Sequence, residues 1–150
     1  MTRIAFVLCL IGLSMPAVAD VLGVGTWLQR VEKGHLVMVI QEDGAGRKIT
    51  YKVSLPDGKL DDKLDMTLST QLDGKDAPVL LNGRPTGQTI AVRRLDSHHT
   101  STVLKYQGKE FGTSKAELSA DGKVMKVEND ISAAIGGLAM GKYVEYWDRK

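Results

Sequence analysis

What most constrains this chain is a period of two. Ile49, Tyr51, Val53 and Leu55 are apolar, while Lys48, Thr50, Lys52 and Ser54 fall between them. A helix would scatter those side chains around its circumference, whereas a strand gathers them on one face and leaves the other wet. Met66, Leu68 and Thr70 repeat the pattern against Thr67 and Ser69, and Ile90 and Val92 repeat it against Thr89, Ala91 and Arg93. Short segments at 103–106, 115–118 and 124–127 read as further strands, as does the final Tyr143-Val144-Glu145-Tyr146-Trp147. Leu36 to Ile40 is apolar on both parities, so its outer face is covered too or meets a neighbour, and its β-branched content favours a strand.

Glycine and aspartate punctuate these segments about every 8 to 15 residues. Asp57-Gly58-Lys59, Asp73-Gly74-Lys75 and Asp121-Gly122-Lys123 share one turn signal, and Glu42 to Gly46, Asp96 to His99 and Gln107 to Lys109 mark other reversals. Asp-Gly suits tight hairpins because glycine has no Cβ to clash at positive φ and aspartate tolerates the region. About eight to ten antiparallel strands joined by short connections leave a closed meander barrel or a two-sheet sandwich. Closure removes two exposed edges, so the expectation is an all-β fold: a single antiparallel meander barrel of 8–10 strands.

The chain has 150 residues, but the first 19 read as an export signal. Arg3 supplies a positive start, Ile4 to Leu13 is almost wholly apolar, and Ala17 and Ala19 are small residues set for cleavage before Asp20. An apolar run of about ten residues is half of what a spanning helix needs, so the expected mature chain, residues 20–150, is not a transmembrane protein. The short leader looks bacterial and addresses the chain to the periplasm or beyond. Cys9 is the one cysteine and lies within the leader. The mature domain then has no disulfide, thiol nucleophile or thiolate metal site, and must fold on its core alone.

Twenty basic residues against 18 acidic ones leave little net charge, and the aromatics are dispersed without a stacking platform. Nucleic acid is therefore not an expected partner. His98 and His99 are adjacent on a chain reversal and point apart on a strand, with no His-x-His pair or metal-binding spacing nearby, so neither a metal nor a cofactor is expected. No nucleophile elbow or phosphate loop is present, and Glu110, Glu117, Glu128, Asp130 and Glu145 lie on or near strands where alternation turns most of them outward. The chain reads as non-enzymatic.

Gly25-Thr26-Trp27 at the head of a β meander resembles the Gly-x-Trp opening of lipocalin-like barrels, in which the tryptophan plugs one barrel end. Asp73-Gly74-Lys75-Asp76-Ala77-Pro78-Val79, the run Thr89 to Asp96, Ser119 to Met125 and the tyrosine-rich last strand further resemble a family of small, exported bacterial β proteins with a lipocalin-like domain. That resemblance implies a barrel fold and, by analogy with lipocalins, an interior that binds a small apolar or amphiphilic ligand. The alternative is a cell-envelope structural or interaction module with a filled core.

Five residues are candidates for ligand contact: Trp27, Arg94, Ile135, Leu138 and Met140. If Ile90 and Val92 face the interior, Arg94 follows by parity. In a cavity it would call for a carboxylate-bearing ligand, whereas at a strand end it would reach water. Ile135, Leu138 and Met140 lie in a glycine-rich apolar stretch, 132–141, that either folds back over the barrel, forms a lid, or presents a patch to a membrane or an envelope protein.

Overall fold

Along each strand of the computed structural model, which describes residues 20–31, 35–61, 63 and 65–150, side chains alternate between a shared interior and solvent. The proposed leader, including Cys9, lies outside the described residues, as do Glu32, Lys33 and Gly34. Ten strands follow in order: β1 (Gly25–Gln29), β2 (His35–Asp43), β3 (Gly46–Ser54), β4 (Met66–Thr70), β5 (Asp73–Leu81), β6 (Arg84–Arg94), β7 (His99–Tyr106), β8 (Lys109–Leu118), β9 (Val124–Ile131) and β10 (Gly141–Arg149). Each pairs antiparallel with the next, and β10 returns to β1 through Trp27↔Arg149, Leu28↔Asp148 and Gln29↔Trp147. The meander is a closed barrel, as the alternation predicts.

The shortest ladder lies between β4 and β5, where only Met66↔Leu81 and Thr67↔Leu80 are in register. β5 is also the strand that the alternation pattern does not reveal. Asp73, Lys75 and Asp76 crowd its start, Pro78 has no N–H to offer a neighbour, and its ladder with β6 shifts register twice. Asp73-Gly74 is accordingly a bulge at the start of β5 and not the hairpin expected from the other Asp-Gly pairs. The reversal is made by Gln71-Leu72, with Leu72 at φ 58° and buried. What all three Asp-Gly-Lys segments do share is an aspartate oxygen accepting the lysine N–H two residues on, at 3.0–3.1 Å.

Ile49 is buried and Tyr51 faces the interior, but Val53, one step further, is 38% exposed where β3 runs out past the barrel rim. The two-sided apolarity of β2 is explained by its position. Met38 and Ile40 enter the core, while Val37, also buried, lies outward between its cross-strand neighbours Leu28 and Lys52.

The two ends differ. At the first, the segment preceding β1 folds inward: Val21 and Leu22 are buried beside Trp27, and the Val21 N–H donates to the Ser97 carbonyl at 2.7 Å. The second end carries the segment 132–140 and the described parts of the connections that follow β1 and β3. There a smaller apolar cluster of Leu104, Phe111 and Ile131 sits beneath Ile135 and Leu138. Among the described residues no helix is long and apolar enough to cross a membrane.

Candidate ligand cavity

Several inward-facing residues remain only partly buried: Tyr51 on β3, Ile90 on β6, Ala116 on β8 and Val127 on β9. They face a hollow. A cavity of about 480 Å³ runs through the barrel, within the range of about 300–1,000 Å³ typical of small-molecule sites. Its wall is mostly apolar, built from Leu36, Met38, Ile49, Leu68, Ile90 and Val92 among others. Into it also point Gln29, Tyr51, Gln88, Thr100, Thr102, Ser114, Asn129, Tyr143 and Glu145.

Parity explains this polar set. On β10, Tyr143, Glu145 and Trp147 share the inner face, so Glu145 belongs to the interior and not among the outward carboxylates expected from the sequence. On β9, Met125, Val127, Asn129 and Ile131 do the same. Cross-strand register then gathers three strands around the Glu145 carboxyl. Asn129 lies opposite Tyr143 and Gln29 opposite Trp147, so both are diagonal neighbours of Glu145.

Burial pushes the Glu145 carboxyl above its ordinary value, while Trp147, Asn129 and Gln29, disposed around it as donors, pull it partly back. Asn129 is 7% exposed; its Oδ1 accepts the Ser114 hydroxyl at 2.6 Å, and its Nδ2 has no hydrogen-bond partner of ordinary geometry. Tyr51 meets Trp147 edge-on with centroids 6.1 Å apart. Burial, reinforced by the nearby Glu145 charge, lifts its phenol to about 12, so the hydroxyl keeps its proton. Among the described residues no lysine, arginine or histidine lines the cavity.

Of the five candidates from the sequence, Leu138 lines the hollow, together with Gly136, Gly137 and Ala139 of its segment. Ile135 packs with Leu138 onto the Leu104, Phe111 and Ile131 cluster, so the segment is a roof over the mouth. Met140 points away and is 68% exposed. Trp27 is fully buried at the opposite end, its Nε1–H donating to the Gly23 carbonyl at 3.2 Å and the Arg149 guanidinium 5.4 Å from its ring. It plugs that end and does not line the cavity.

Arg94 does follow Ile90 and Val92 by parity, but one step too far. It lies at the plugged end, where the Asp20 carboxylate accepts from it at 2.7 Å and from Arg47 at 3.2 Å. Its charge is answered by protein, outside the hollow. The polar residues that do face the hollow were legible in the same parity: Glu145 between Tyr143 and Trp147, and Asn129 between Val127 and Ile131.

Elsewhere the chemistry is sparse. His99 contacts Asp96 at 2.8 Å on an exposed reversal, and among the described residues no group of three or more His, Cys, Asp or Glu side chains could hold a metal ion. No protein-family profile matches the sequence, and no curated protein matches it. Among solved structures, that of wild-type fluorescent protein UnaG superposes with a TM-score of 0.57 over 85% of this chain and 96% of its own, at 17% sequence identity. The likeness is one of fold: this chain is a lipocalin-like barrel.

Proposed function

We propose that this protein is a non-enzymatic carrier or receptor, exported to the periplasm or beyond, that holds one small apolar or amphiphilic molecule inside its barrel. The observation that carries the reading is the hollow itself. A barrel of this size can fill its interior with side chains, and this one instead leaves about 480 Å³ with apolar walls and a few converging polar groups. A module with a solid core, acting only through its surface, would have no use for buried polar side chains turned toward empty space, because each costs free energy until it is paired.

The arrangement also supports a direction of entry. One end is plugged by Trp27, Val21 and Leu22, while the other is roofed by Gly136 to Ala139, the segment by which the ligand enters and which carries the exposed Met140 toward a membrane or envelope partner. Native mass spectrometry of the protein purified from its host tests the reading. A non-covalent small-molecule adduct that disappears on denaturation is expected. A ligand-free protein that also fails to take up a neutral hydrophobic dye such as Nile red refutes it.

A further inference from the structure

The cavity contains a half-buried acid with donor groups around it and, among the described residues, no cation. Gln29, Asn129 and Trp147 neighbour Glu145 on three strands without a hydrogen bond of ordinary geometry to it, and donors of that kind stabilise a carboxylate, not a neutral acid. Yet among the described residues no basic side chain lines the hollow, so no cation there offsets the cost of charging Glu145. Asn129, itself 7% exposed and fixed by Ser114 through Oδ1, leaves its Nδ2 donor unpartnered in the same wall. Around the carboxyl stand the aromatic rings of Tyr51, Tyr143 and Trp147. The missing component is a positive charge, and the ligand can bring it.

We propose that the ligand is an amphiphilic amine, its ammonium head seated against Glu145 among the aromatic rings and its apolar body lying along Leu36, Met38, Ile90 and Val92. The ammonium favours the charged form of Glu145, whose proton passes to solvent, whereupon Asn129 Nδ2, Gln29 and the Trp147 indole N–H have a carboxylate to donate to. The aromatic faces add attraction for the cation. A fatty acid or another anionic amphiphile meets the reverse. Its head would face Glu145 with no arginine or lysine to receive it, since Arg94 and Arg47 are committed to Asp20 at the plugged end. The inference rests on the carrier reading above and specifies the chemistry of its ligand.

Displacement of Nile red by three matched amphiphiles, decylamine, decan-1-ol and decanoate, tests it at neutral pH and below their micelle concentrations. Decylamine is expected to bind about ten- to hundredfold more tightly than decanoate, the advantage of a charge-assisted hydrogen bond. Glu145→Gln, shown by thermal unfolding to be folded, should remove most of that advantage while changing decanol little. Should that variant fail to fold, the three wild-type affinities still decide. Equal or tighter binding of decanoate overturns the inference, as does amine binding unaltered in folded Glu145→Gln. Displacement by all three with equal affinity defeats the head-group assignment but leaves the carrier reading standing. If Nile red does not bind and none of the three amphiphiles does, the carrier reading fails and takes the inference with it.

Discussion

Replacing Ala116 with leucine puts the hollow itself to the test. Ala116 faces inward from β8 between Ser114 and Leu118, lines the cavity, and is only partly buried because its methyl group borders open space. Leucine adds three carbons. If they extend into a vacancy, burying them contributes at most about 2.4 kcal/mol at roughly 0.8 kcal/mol per carbon. Ordering the longer side chain costs about 0.5–1 kcal/mol, which leaves a net gain of about 1.5 kcal/mol. For a domain of this size that raises Tm by about 4–6 °C. If the interior is in fact filled, the same carbons overpack it and cost about 1–3 kcal/mol, with Tm falling by a similar interval. The sign therefore separates a hollow barrel from a solid one. Thermal unfolding followed by circular dichroism reads it, and a Tm lowered by several degrees refutes the cavity. At roughly 30 Å³ per added group, the new side chain also takes about a fifth of the space, so Nile red affinity should drop as stability rises.

Four other outcomes are expected. Because Glu145 is raised above 4.5 in the folded state, the native protein retains a proton that the unfolded chain releases. Its contribution is full at low pH and is lost as pH rises from the ordinary carboxylate range through the raised value. Urea midpoints should thus favour Glu145→Gln over the wild type increasingly as pH rises toward neutrality; reading the difference between the two proteins cancels the exposed aspartates that shift the other way. Ultraviolet titration of the tyrosines should show one late phenol near 12 that disappears in Tyr51→Phe. Gly46→Ala would place a Cβ 2.2 Å from the Thr70 backbone oxygen, which can yield only by parting β3 from β4, so a loss of about 3 kcal/mol or more in denaturant unfolding is expected. Gly136→Ala would set its Cβ against the Gln88 side-chain amide at 2.3 Å from a positive φ of 63°, so the roof should lift and Nile red exchange should quicken in stopped flow, with little change in Tm.

How much of this was legible beforehand follows from where burial has only one cause. Ile49, Leu68, Ile90 and Val92 are apolar because they face the interior, and alternation reads them directly. β5 escaped because its charged start, Pro78 and two register shifts break the period that identifies a strand. Arg94 was placed on the correct face, but parity gives a side and not a height along the barrel, and only the height separates a ligand contact from an ion pair with Asp20. Glu145 shows a different limit. Its parity with Tyr143 and Trp147 was visible, yet a carboxylate on a strand reads as solvent-facing until the three donors around it are known, and those come from Gln29, Asn129 and Trp147, spread over 119 positions of sequence. The hollow itself has no sequence signature. Small residues such as Ala116 and Ser114 look the same in a filled core as beside a void.

The seam between the first strand and the last has a consequence for how the protein comes into being. Trp27 meets Arg149 across that seam, so the cylinder cannot shut until β10 has been made. Until then β1 and β9 offer bare hydrogen-bonding edges to any neighbouring chain, and the pocket lacks the strand that bears its acid. Premature termination anywhere within β10 would accordingly yield a sticky open sheet prone to aggregate, in place of a weaker version of the same molecule.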